Sequence, residues 1–262
     1  MMRYLRLYRA FVVNNIARTM EFRAQFFASI IGYAVWTGIS LVFIRAVFGN
    51  VGLVRGWTQA QMWVLYGTYV VLESFCYGVL GPNMFRFSGL VRDGTLDLTL
   101  TRPVDVQFFV STRYLDLNAC LNAFLGLVLM GFGFQSAKHW PGPMGWALWA
   151  WLLACGLIMA YAVWFLFVTL AIWAVKLDAI AVVFDPVMQI ARFPVQIYPH
   201  RLLLLLTFGI PIAYMTTYPS QALLGTVPWS AVVSAPVLAF VLLAVSHRFF
   251  GFALRSYGSA ST

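Results

Sequence analysis

Charge is scarce in this sequence. Asp, Glu, Lys and Arg make up 10% of the 262 residues, where a soluble domain carries roughly 25%. Hydrophobic residues make up 62%, so most of the surface cannot face water, and a soluble fold is excluded. Lysine is rarer still. It occurs at Lys138, followed by His139, and at Lys176, followed by Leu177. A phosphate-binding P-loop, G-x-x-x-x-G-K-[ST], needs glycines so that backbone amides approach the phosphates, and a Lys to neutralise them. Neither lysine fits. Gly131-Phe132-Gly133 begins like G-x-G-x-x-G, but position 136 is Ser136 and the stretch is apolar. Any ATP hydrolysis would therefore belong to another polypeptide.

Other absences narrow the field further. Cys76, Cys120 and Cys155 lie far apart within apolar runs. They support neither a disulfide framework nor a zinc site, and are expected to act as small apolar fillers. His139, His200 and His247 are scattered, no H-E-x-x-H or G-x-S-x-G occurs, and an intramembrane hydrolase has nothing to stand on. No catalytic residue, metal site or nucleic-acid partner is expected. No internal repeat is visible either, which weakens a gradient-driven secondary transporter.

What remains is a series of apolar runs, at about 24–48, 60–81, 106–134, 147–175, 179–197 and 228–250. Each is long enough for the roughly 20 residues that cross a bilayer. Asp185, Pro186 and Arg192 interrupt the fifth. A further short run, Leu202 to Met215, is broken by Pro211 and reads as re-entrant or interfacial. The expectation is an all-α integral membrane protein with about six transmembrane helices, forming one domain over 1–262. Five of the 17 Lys and Arg (Arg45, Arg55, Lys138, Arg192 and Arg201) fall on one side of this topology and the other twelve on the other. The positive-inside rule then puts both termini in the cytoplasm.

The first 23 residues carry Arg3, Arg6, Arg9, Arg18 and Arg23, without the short apolar core of a signal peptide. Tyr4, Leu5, Tyr8, Phe11, Val12 and Ile16 recur at helical spacing. This predicts a basic amphipathic helix at the headgroups of anionic cytoplasmic lipid, or a charged extension of the first span. Between the second and third runs, "VRDGTLDLTLTRPVD" packs charges and a turn pair, Asp93-Gly94, into a cytoplasmic segment over 82–105. The preceding "NMFRFSGLVR" can form a short helix with Phe85, Phe87 and Leu90 near one side. The segment reads as a contact for a soluble partner or as an ordinary solvated loop.

Three stretches carry a resemblance. They are "GTLDLTLTRPV" from Gly94, "GWTQAQMWVLYG" from Gly56, and "RFPVQIYPHRLLLLLTFGIPIAYMTTYPSQALLG" from Arg192. In their order and spacing they resemble ATP-binding-cassette permeases of the type-2 exporter class, in a bacterial branch with paired permeases and one ATPase. The resemblance implies six membrane helices with an amphipathic N-terminal helix, and a cytoplasmic coupling helix between spans two and three. It also implies re-entrant helices before span six, within 198–227. The partners it implies are a cytosolic subunit binding ATP and Mg, and a second permease, identical or paralogous, in the bacterial inner membrane. On this resemblance Arg86, Arg92, Asp93, Asp97 and Arg102 would meet the nucleotide-binding subunit. The cargo would be a small amphipathic, drug-like or lipid-like molecule leaving the cytoplasm by alternating access.

Three acids are candidates for the substrate path. Glu73 sits near the middle of span two, where an ionised carboxylate is costly unless it faces water or a partner. It could favour cationic or amphipathic cargo, or be a structural carboxyl, either bonded to a neighbouring helix or protonated. Asp116 follows Arg113 by three residues, and one helical face could hold both as an ion pair. Asp185 lies in the broken fifth run, where freed backbone could line a cavity, or it could pair with Arg192. The ten tryptophans are expected mostly as interfacial anchors, against the alternative of an aromatic cargo pocket. Ala28 and Gly32 form a small-xxx-small pair suited to helix contact. Two other functional classes stay open: an ion-gradient-driven transporter, and a membrane anchor for a cytosolic complex.

Overall fold

The computed structural model describes residues 2–21, 23–173 and 184–257. Among them there is no β-strand; a single bridge between Val54 and Trp57 closes a loop. Among the described residues, five helices are long and apolar enough to cross a membrane: Phe27–Asn50, Gln59–Arg92, Leu117–Ala137, Pro143–Ile172 and Trp229–Arg255. Helix is the form expected here, because each satisfies its own backbone hydrogen bonds where lipid offers none.

The second span starts at a capping box, with the Thr58 side chain on the Gln61 N–H and the Gln61 side chain on the Thr58 N–H. It then runs for 34 residues to Arg92, about 51 Å at 1.5 Å per residue. A hydrocarbon core of about 30 Å cannot contain it. The stretch "NMFRFSGLVR" is therefore the protruding end of span two and not a separate short helix. A π-helical turn over Cys76–Leu80 marks the join.

The third apolar run, 106–134, is two helices. Asp105 caps Val106–Thr112 by accepting the Phe108 N–H at 2.7 Å. Asp116 caps Leu117–Ala137 by accepting the Asn118 and Ala119 N–H groups at 3.0 and 3.3 Å. The expected Arg113–Asp116 pair on one helical face is thereby lost, since Asp116 starts a new helix. Arg113 instead lies over the rings of Phe109 and Tyr114.

The fifth expected span, 179–197, falls partly outside the described residues. From Phe184 the helix lasts only to Ile190, and a single 3-10 turn follows over Val195–Ile197. The next segment is two short helical pieces, His200–Leu204 with a π turn over Leu205–Gly209, then Ala213–Thr217 with Tyr218–Leu223. Pro211 lies between them. The second piece is buried against the fourth span, where a side chain on Gly156 would meet the Tyr214 carbonyl at 2.9 Å.

Spans two and three form the tightest pair. Any Cβ on Gly67 would come within 2.6 Å of the Gly126 carbonyl, and the reverse holds for Gly126. The close approach is the small-residue packing used between helices in lipid. Ala28 and Gly32 make no such contact: Ala28 is exposed and nothing lies within 4 Å of a Cβ on Gly32. The first span is held loosely, with 11% of its apolar window buried against 72% for the second.

The N-terminal helix, Met2–Glu21, lies on Val106–Thr112. Tyr4 meets Phe108 edge-on at 5.0 Å, Phe11 meets Phe109 at 5.7 Å, and Asn15 donates to the Arg113 carbonyl at 3.0 Å. Arg6 and Arg9 face outward, as the amphipathic pattern predicts. The last span is tied to the same short helix through His247 and Gln107, 2.7 Å apart.

Candidate functional site

Tyr69, Glu73 and Tyr77 follow one another at intervals of four, so they share one face of span two. Tyr69 donates to Glu73 Oε1 at 2.5 Å, and Tyr77 donates to Asp185 Oδ1 at 2.5 Å. Arg192 Nε donates to the Tyr69 hydroxyl at 3.1 Å, and its guanidinium lies 5.2 Å from the Trp36 ring centroid and 5.5 Å from that of Tyr69. These groups line a cavity of about 530 Å³ bounded by the first span, the middle of the second, the start of the third, and Phe184–Ile190 with the turn after it.

Local sequence explains each position. Asp185 lies in the first described turn of the helix Phe184–Ile190. That helix is fixed by Phe184, which stacks on the fully buried Trp164 at 4.4 Å and 9°. Trp164 also meets Tyr77 and Phe85 edge-on. The π turn beginning just before Tyr77 frees the Gly78 carbonyl, which accepts the Asp116 N–H at 2.7 Å. A buried carboxylate and guanidinium are costly unless hydrogen-bonded, and the tyrosine hydroxyls meet that need.

Two of the three acids expected on the path, Glu73 and Asp185, do line this cavity. Asp116 does not; it spends its carboxylate on the helix cap described above. Asp185 and Arg192 share the cavity, yet their hydrogen bonds go to tyrosines of span two and not to each other. Arg192 counted among the flanking charges in the sequence; here it points into the site. The sequence reading missed Tyr69, Tyr77 and Trp36, although the Tyr-x3-Glu-x3-Tyr spacing is a usable signal. Tryptophan is not uniformly interfacial either, with Trp164 in the core and Trp36 on the cavity rim.

A second group of residues lies at the far end of span two. Arg92 and Asp93 pair at 3.1 Å and are both about half exposed. Gly94, at φ +67°, turns the chain as the Asp93-Gly94 pair predicts. Asp97 then opens the short helix Asp97–Leu100. Arg86 is held over the Tyr114 ring at 3.8 Å, and Arg102 over Phe109 at 4.8 Å. Among these charges Leu98 is 66% exposed, an apolar knob that sequence reasoning did not single out. Tyr257, just past the last span, faces Asp97. Burial first, and the Asp97 charge second, push its phenol above the usual tyrosine value.

The family model described as "ABC-2 family transporter protein" matches residues 34–261. Among curated proteins, none matches.

Proposed function

The chain belongs to the ABC-2 family of transporter proteins, and we propose that it serves as the permease of an exporter that moves a small amphipathic molecule out of the cytoplasm. Membership makes it a multi-pass membrane subunit that works with an ATP-binding partner. The observation that carries the reading further is the continuity of span two. One 34-residue helix bears Tyr69, Glu73 and Tyr77 at the cavity and ends in the exposed Arg92–Asp93 pair.

In this reading the partner binds ATP and Mg and grips the hairpin over 82–105, with Arg86, Arg92, Asp93, Asp97 and Arg102 as polar contacts and Leu98 as the apolar one. Closure of the nucleotide-binding subunits tilts the protruding end of span two. Because the helix is continuous, that tilt reaches Glu73 and alters which side of the membrane the cavity faces. Little burial of the first span supports a second permease, identical or paralogous, packed beside it. Basic residues at Arg6, Arg9, Arg86 and Arg92 support cytoplasmic termini in a bacterial inner membrane.

The test is purification of the tagged chain from its native membrane in mild detergent, with identification of the chains that accompany it. A stoichiometric ATP-binding subunit and a second permease chain are the expected result. Recovery of this chain alone, under conditions that keep a known transporter complex intact, would overturn the reading.

A further inference from the structure

The cavity at Glu73 does not end at Arg192. Trp36, Gln189 and Arg192 also line a second cavity of about 320 Å³, and Phe43, Ile44 and Phe193 pass from that one into a third of about 320 Å³. The three follow the first span from Ser29 to Phe48. At 1.5 Å per residue this is about 28 Å, close to the roughly 30 Å thickness of the hydrocarbon core.

The chemistry changes along this groove. Its first chamber holds Glu73, Asp185, Tyr69 and Tyr77. Its last is walled by Val47, Phe48, Met62 and Ile197, with the Tyr198 hydroxyl turned onto the Ile190 carbonyl at 3.3 Å. On the rim, Trp36, Ile39 and Phe43 are each more than half exposed, so the groove is open along one side. Two acids and one basic residue, Arg192, line the polar chamber. Arg192 already rests on the faces of Trp36 and Tyr69, the placement a ligand cation takes on aromatic rings.

We propose that the three chambers are one binding groove for a single-chain cationic amphiphile, with its ammonium head between Glu73 and Asp185 and its tail along Phe43, Val47 and Phe48. The proposal rests on the exporter reading for its biological use, but binding itself requires neither ATP nor a partner. Arg192 is a tethered competitor that the incoming head displaces. A tail moving from lipid into the groove gains little, since lipid is as apolar as the wall. Selectivity therefore belongs to the head, and the tail sets orientation.

The test uses the full chain in phosphatidylcholine nanodiscs without nucleotide, photolabelled with a dodecylammonium probe carrying a diazirine at the tail end. The expected labels lie within 43–48 and 193–198. Dodecyltrimethylammonium should compete and dodecyl sulfate should not. Glu73→Gln combined with Asp185→Asn should cut the competed labelling at least tenfold, while Arg192→Gln should raise it about threefold or more. Labelling spread evenly over the lipid-facing helices, competition by dodecyl sulfate, or a fall in the Arg192→Gln protein would each overturn the proposal. The Arg192→Gln result decides the matter if the double variant fails to fold. Failure here alongside a co-purifying ATPase would leave the exporter reading standing.

Discussion

Asn83 grips the backbone of Tyr114 from both sides. Its amide nitrogen donates to the Tyr114 carbonyl at 2.8 Å, and its amide oxygen accepts the Tyr114 N–H at 2.9 Å. Tyr114 sits in the break between the helices Val106–Thr112 and Leu117–Ala137, where backbone groups lack helical partners. Asn83 is 2% exposed, so no water can take over. Each such bond contributes about 1 kcal/mol net, and an orphaned buried group costs more. Asn83→Ala is predicted to destabilise the protein by about 2–4 kcal/mol in a denaturant titration of the detergent-solubilised chain. Asn83→Asp, which keeps the acceptor, should lose less.

The seam between spans two and three gives a contrast within one helix. A side chain on Gly126 would strike the Gly67 carbonyl at 2.6 Å, a backbone atom that cannot swing aside, whereas nothing lies within 4 Å of a Cβ on Gly131. Gly126→Ala should cost about 1–3 kcal/mol through overpacking. Gly131→Ala should be neutral or stabilise by up to about 1 kcal/mol, because alanine is the better helix former. Melting temperatures of the two variants in one detergent check both signs.

The hairpin makes the opposite prediction, an effect on function without one on stability. Arg92 and Asp93 form a half-exposed pair, and such pairs contribute at most about 1 kcal/mol. Charge reversal, Arg92→Glu with Asp93→Arg, should leave the melting temperature nearly unchanged. It should separate ATP hydrolysis from transport in the reconstituted complex. Leu98→Ser should weaken retention of the ATP-binding subunit. Wild-type coupling in the charge-reversed protein, measured as cargo moved per ATP, would speak against the hairpin as the contact.

Trp164 links the core to the site. Its stacking on Phe184 holds the helix Phe184–Ile190, which carries Asp185. Trp164→Ala should cost about 3–5 kcal/mol, as for other large aromatic deletions, and should weaken cargo binding with it. Trp164→Phe should restore most of both. A Trp164→Ala protein with unaltered thermal stability would show that the stack does not anchor the helix.

The apolar runs were legible because lipid leaves a long, unmistakable composition, and Glu73 was legible because a charge within such a run is conspicuous. The break at Arg113–Asp116 was not. Asp105 and Asp116 are helix caps, and an acid three residues after an arginine looks the same whether it caps or pairs. The stretch "NMFRFSGLVR" reads as a separate short helix because it is polar enough to leave the membrane, and only the fold shows that it continues span two without a break. Tyr69 and Tyr77 were hidden because tyrosine is common near membrane interfaces, and only the fold brings Arg192 and Asp185 onto them. Arg192 misled for a related reason: charge counting assigns flanking residues to water, whereas the turn after Ile190 folds this one inward.

Under the proposed function, cargo at Glu73 governs ATP hydrolysis by the partner. This is tested most directly in proteoliposomes holding the purified complex, with ATPase rate measured as a function of dodecyltrimethylammonium for wild type and Glu73→Gln. Cargo-stimulated hydrolysis is expected in the wild type, with the stimulation, taken relative to each protein's own basal rate, reduced at least fivefold in the variant. Equal stimulation of the two proteins would contradict it.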